Sequence, residues 1–150
     1  MRKIILIVLL AAVAAVAQQG GGAKQAAKSQ VPASKAKILT RAELDTFLAS
    51  PDKVLLIDVR RPDEVQSIGG FPVYLSVQLA DLEKHFAEIP RDRTIITVSN
   101  HAVRAGRAAD LLESKGFKVA GAVGAQTYES EGGKLFKVEV PKPSAVAEKK

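Results

Sequence analysis

Apolar and polar positions along the chain form blocks of two kinds. Val54-Leu55-Leu56-Ile57-Asp58 and Thr94-Ile95-Ile96-Thr97-Val98 are short, nearly unbroken apolar runs. Such runs predict strands buried on both faces, because a strand with one wet face alternates. Val119–Val123 reads as a further strand, and Phe71–Val77 is rich in β-formers with partial alternation. Helical periods lie between them. Thr40-Arg41-Ala42-Glu43 is a capping box; it opens a helix with Leu44, Phe47 and Leu48 on one face and Pro51 beyond its end. Asp81–Phe86 fits a short helix, and Arg104–Lys115 carries Ala105, Ala108, Leu111 and Leu112 at helical spacing before Gly116. The order βαβαβ with apolar strands predicts an α/β fold: one domain, a parallel sheet flanked by helices on both faces. Ligands of such sheets gather at the carboxyl ends of the strands. Ser99-Asn100-His101, leaving the second strong strand for a helix, is therefore the first place to look.

The two ends break this pattern. Arg2-Lys3, the apolar stretch Ile4–Val16 and the A-x-A site Ala15-Val16-Ala17 are the three parts of a secretory signal, residues 1–17. As a helix the stretch spans about 20 Å, short of a ~30 Å hydrocarbon core. The expectation is an exported protein, with a bacterial periplasm the best fit. Its mature chain starts near Gln18 and is not stably inserted in a membrane after cleavage. Residues 18–37, rich in Gly, Ala, Ser, Gln and Lys, read as a flexible linker, and 139–150 as a disordered basic tail. The expected domain is 38–138.

Composition removes several chemistries. The 150 residues include no cysteine, so disulfides, thiolate metal sites and a cysteine nucleophile are excluded. His85 and His101 give no metal-ligand spacing, and neither a metal nor a cofactor is expected. The net charge of +6 suggests nucleic acid until its placement is followed. Residues 38–133 hold 11 of the 22 basic residues but 14 of the 16 acidic ones. The basicity thus belongs to the ends, and a nucleic-acid partner, which needs a basic stripe on the folded part, is not expected.

A loop running from a buried strand into a helix turns unpaired N–H groups toward one point, and the helix dipole adds partial positive charge. Ser99, Asn100, His101, Ala102, Val103 and Arg104 form such a loop, with Arg104 placed to complete an anion cradle. Four segments around it, between about Ile38 and Lys137, resemble the rhodanese-like domains, the sulfurtransferases and their relatives. Leu56-Ile57-Asp58-Val59-Arg60 with Pro62 and Glu64 is similar to the family's first signature. Ile89–Val98 resembles the approach to its active loop. Arg104–Leu112 with Lys115-Gly116-Phe117 resembles the helix after it, and Tyr128 stands where Trp is usual. The resemblance implies that Asp58 and Arg60 support the loop.

The departures bear on function. In the family a cysteine opens a C-x-x-x-x-R loop and carries sulfur as a persulfide; Ser99 holds that position here and Arg104 the last. A serine hydroxyl offers no low-pKa thiolate and forms no S–S bond. Ala102 replaces a common Gly and removes a natural host for positive φ. The expectation is a module inactive as a persulfide sulfurtransferase, binding an unidentified protein partner or a small oxyanion. Two alternatives stay open: a cysteine-independent enzyme on oxyanions such as phosphate esters, using the Ser99–Arg104 loop, or a subunit of a sulfur-transfer system whose thiol comes from a partner. A Ser99–His101–Asp58 catalytic arrangement is disfavoured, because neighbours in a curled loop seldom point at one another and the G-x-S-x-G elbow is missing.

Overall fold

The computed structural model describes residues 33–137. The expected signal, residues 18–32 of the linker and the basic tail lie outside these residues. Four strands, β1 (Val54–Asp58), β2 (Leu75–Ser76), β3 (Thr94–Ser99) and β4 (Val119–Gly124), form one parallel sheet in the order β2-β1-β3-β4. Helices α1 (Arg41–Leu48), α2 (Pro62–Ile68), α3 (Val103–Ser114) and α4 (Ala125–Ser130), with a 3-10 helix at Leu79–His85, connect and cover it. The α/β architecture is as the apolar runs predict.

Period-two alternation sends neighbouring strand residues into different cores. Val54 and Leu56 of β1 and Ile96 and Val98 of β3 join Leu44 of α1, Phe71 and Tyr128 on one face. Ile57 and Ile95 pack on the other with Leu82 of the 3-10 helix, Leu112 of α3 and Phe117. Tyr128 is a core residue: its ring meets Phe71 edge-on at 5.1 Å, and its hydroxyl donates to Asp45 Oδ1 at 2.8 Å. The Thr40 capping box is formed, with Glu43 closing it. Beyond β4, the segment Lys37–Leu39 adds as a short parallel edge, Leu39 N–H donating to Ala122 O at 2.9 Å and Ala122 N–H to Lys37 O at 2.8 Å. Gly121 permits this contact, since a Cβ there would stand 2.5 Å from the Lys37 carbonyl oxygen.

Three elements differ from the sequence expectation. The Phe71–Val77 strand shrinks to Leu75–Ser76, because Phe71 turns into the core while Pro72, which has no N–H for a ladder, and the exposed Val73 bend away. Helix α2 was not expected; it buries no residue fully, so it leaves no apolar period to read. Helix α4 is six residues long with only Ala125 and Tyr128 buried.

The strand order places the site. The chain passes from β1 outward to β2, then returns to the opposite side of β1 as β3. This reversal opens a crevice between the carboxyl ends of β1 and β3, the usual ligand position in open α/β sheets. Asp58 ends one of these strands and Ser99 the other.

Candidate functional site

Asp58 and Arg60 are both fully buried. The Asp58 carboxylate accepts the Arg60 backbone N–H at 3.1 Å, Nε at 2.9 Å and Nη2 at 2.6 Å. Arg60 Nη2 also donates to Gly69 O at 2.9 Å, and Nη1 reaches Asn100 Oδ1 at 3.5 Å. A buried guanidinium persists only when its charge and donors are answered; Asp58 answers both. The pair thereby ties the end of β1 to the end of α2 and touches the loop through Asn100.

The loop itself is curled tightly. Ser99 is 1% exposed, and its Oγ accepts the Ala105 N–H at 3.1 Å, closing the loop from inside. Beneath it, Thr97 Oγ1 donates to Ala105 O at 2.8 Å and fastens α3 to β3. Ala102 caps α3 at φ 63°, in the left-handed region. The loop therefore keeps a positive φ at the position that lacks the usual glycine, at a cost of roughly 1–2 kcal/mol. Gly124 makes room for the curl: a Cβ there would lie 3.1 Å from Asn100 O and 3.2 Å from Ala102 N. Among the described residues, the backbone N–H groups of Asn100 to Arg104 have no acceptor, whereas those of Ala105 and Gly106 are taken. His101 and Val103 are exposed beside them. No hydrogen bond joins His101 to Ser99 among the described residues, so no base is set against the serine hydroxyl.

Arg104 does not point into the curl. Its guanidinium binds Glu64 of α2 side-on, Nη1 to Oε2 at 2.8 Å and Nη2 to Oε1 at 2.6 Å, and Asn100 Nδ2 donates to Glu64 Oε1 at 2.7 Å. These charge-assisted bonds, Arg104 first and the Arg61 backbone N–H next, hold the Glu64 carboxyl at about 2. The same carboxylate raises the Arg104 pKa. Glu64 is the residue that sequence reasoning left out of the site. It was readable as the third residue of a helix with Pro62 at its start, accepting the Arg61 N–H at 3.0 Å. What it reaches across space, from α2 to α3, was not.

One cleft borders this arrangement and another lies at the opposite end of β1. The first, of about 360 Å³, lies between α2 and β2, lined by Val65, Gln66, Tyr74, Ser76 and Phe136. The other, about 280 Å³, lies at the far end of β1 against Leu48, Val54, Pro72 and Val73. Neither includes a residue of the Ser99–Arg104 loop. Among the described residues no cluster of acidic and histidine side chains could hold a metal ion, and no helix is long and apolar enough to cross a membrane.

The model of the rhodanese-like domain family matches residues 40–131, more than half of the chain and all of the crevice just described. The chain belongs to the rhodanese-like domain family. Solved structures agree with this rhodanese-like assignment. The thiosulfate sulfurtransferase of Pseudomonas aeruginosa is similar at 25% identity and a TM-score of 0.60 over 68% of this chain and 20% of that one. A rhodanese-related protein of Thermoplasma volcanium matches at 20% identity and a TM-score of 0.59, covering 67% of this chain and 97% of that chain. A protein of Rhodopseudomonas palustris described as a possible tyrosine phosphatase matches at 22% identity and a TM-score of 0.58, covering 67% and 85%. At such identities the last two speak for the fold alone. No curated protein matches the chain.

Proposed function

We propose that this rhodanese-like domain works without persulfide chemistry, as an exported module that binds a partner protein or a small anion at the Ser99–Arg104 loop. One observation carries the reading. The family's sulfur-bearing position is Ser99, a buried residue whose hydroxyl accepts the Ala105 N–H, in a chain with no cysteine to take over. Sulfur transfer needs a nucleophile that stores sulfur in an S–S bond. Phosphate-ester chemistry through Ser99 needs a base at its Oγ, and the nearest histidine, His101, is not bonded to it. What the loop does offer is a row of unpaired N–H groups at the start of α3, with the exposed Val103 beside them. Those are the features of a binding surface.

Thiosulfate:cyanide turnover by the purified chain tests the first half; the expected rate equals that of a control without protein. An amide NMR titration with thiosulfate, sulfate, phosphate and arsenate tests the second. Saturable shifts confined to Ser99–Ala105 are expected, and their absence at millimolar anion returns the module to partner binding elsewhere on its surface. Export rests on the signal-like start, and expression in an exporting host is expected to yield a species beginning at Gln18. Intact mass that retains Met1 removes that part of the reading.

A further inference from the structure

Strand β1 is paired with β3 along its whole length, but with β2 only at Ile57 and Asp58. Lys53 C=O accepts the Thr94 N–H at 2.9 Å and Val59 N–H donates to Val98 O at 2.9 Å, so both positions face β3. Backbone groups alternate sides along a strand, and Val54, Leu56 and Asp58 therefore face the other way. Asp58 meets a partner there, its C=O accepting the Val77 N–H at 3.1 Å. Continued toward the start of β1, the same register would set Val73 against Leu55 and bond it to Val54 C=O and Leu56 N–H. Val73 instead turns out to solvent, 72% exposed, just after Pro72. Among the described residues neither Val54 C=O nor Leu56 N–H has a partner on this side. Leu56 is nonetheless a buried residue, and a buried N–H left unpaired is costly.

We infer that this edge of β1 takes an extended peptide segment of a partner protein, one that sets a carboxylate beside an apolar side chain. Three features meet there. The free C=O and N–H match the two groups of one added residue, which is how a peptide extends an open sheet edge. Val54, Leu55 and Leu56 line the cleft of about 280 Å³, as do Pro72 and Val73, so an apolar side chain has a seat. Arg93 is the one charged residue lining that cleft. It is half-buried, and its guanidinium meets no carboxylate among the described residues. A cation so placed favours a carboxylate and rejects an ammonium. No residue of the Ser99–Arg104 loop lines this cleft, so the inference stands apart from the function proposed above.

The test follows amide shifts and amide hydrogen exchange of the purified chain with three blocked tetrapeptides. One alternates valine and glutamate, the second has lysine in place of glutamate, and the third is the first with its valine nitrogens methylated. In the free chain the Leu56 amide is expected to exchange faster than those of Leu55 and Ile57, which face β3. The glutamate peptide is expected to give saturable shifts at Val54–Leu56 and Val73 and to slow Leu56 exchange at least about tenfold. The lysine peptide is expected to bind at least about tenfold more weakly, and the methylated one not to saturate. Arg93→Gln is expected to weaken the glutamate peptide about fivefold, and Arg93→Lys to restore most of that loss. Arg93 belongs to neither core cluster, so these variants keep the fold. Equal affinity for the glutamate and lysine peptides overturns the carboxylate preference, and full binding by the methylated peptide overturns strand addition. No saturable shift with any peptide overturns the whole inference. A Leu56 amide already protected in the free chain does the same: protection that rises with concentration gives the edge to a second copy, and protection that does not gives it to the chain itself. None of these outcomes touches the reading of the Ser99–Arg104 loop.

Discussion

Two ion pairs stand at the same edge of the sheet, and water divides their roles. Asp58–Arg60 is fully buried, with both side chains inaccessible. Glu64–Arg104 lies at the surface of the same crevice, its partners 16% and 33% exposed. The chemistry is the same, carboxylate on guanidinium at 2.6 Å in both. The first pair cannot be exchanged for hydration without opening the core, so it serves as a brace. The second keeps solvent within reach and touches the loop through Asn100. Burial therefore decides more than residue type does how costly each pair is to break.

Breaking the buried pair has the largest expected effect. Asp58→Asn leaves the Arg60 charge uncompensated inside the protein, and a loss of about 3–5 kcal/mol in urea unfolding is expected. A loss below about 1 kcal/mol would show that Arg60 finds water, and would erase the contrast. For the surface pair, Arg104→Gln is expected to cost about 1–2 kcal/mol, between the values for exposed and buried pairs.

Acid sharpens the comparison further. The Glu64 carboxyl sits at about 2 in the folded chain against 4.5 ordinarily. A depressed carboxylate contributes stability that is fully present above its unfolded value and is lost as pH falls through the folded one. Stability is thus expected to decline from pH 4.5 toward about 2, and less steeply in Glu64→Gln. Identical acid profiles in the two proteins, measured by thermal unfolding, would place the loss elsewhere.

Relief of the strained loop residue is a smaller effect of opposite sign. Ala102→Gly removes the left-handed penalty but frees the unfolded chain, for a net gain of about 0.5–1 kcal/mol. The smallest effect belongs to Lys37–Glu43, an ion pair on the outer surface. Lys37→Ala is expected to leave the unfolding midpoint unchanged at 0.15 M salt.

Much of the fold was legible from the chain. The strands around Val54–Asp58 and Thr94–Val98 were readable because a strand buried on both faces needs apolar residues throughout. The capping box at Thr40 is written in four consecutive residues. Helix α2 was harder to read, since its Val65 and Ile68 are only half-buried and mark no clear stripe. The β2 region misled because Phe71, Val73 and Tyr74 carry β propensity into a bend. At the site, the position of the loop came from order along the chain, whereas a supporting role for Asp58 and Arg60 was implied only by the family resemblance. Glu64 did not enter until the fold set α2 beside α3.

By itself, the sequence determined the α/β class, the place of the loop after β3 and the exclusion of cysteine chemistry. Each depends on composition or on neighbours in the chain, which folding does not change. The tertiary structure alone decided that the Ser99 hydroxyl is walled in, that Ala102 keeps its left-handed turn, and that Arg104 faces Glu64 instead of the curl. These outcomes depend on which groups meet across distant segments. A guanidinium takes the nearest carboxylate of good geometry, and only packing determines which one that is.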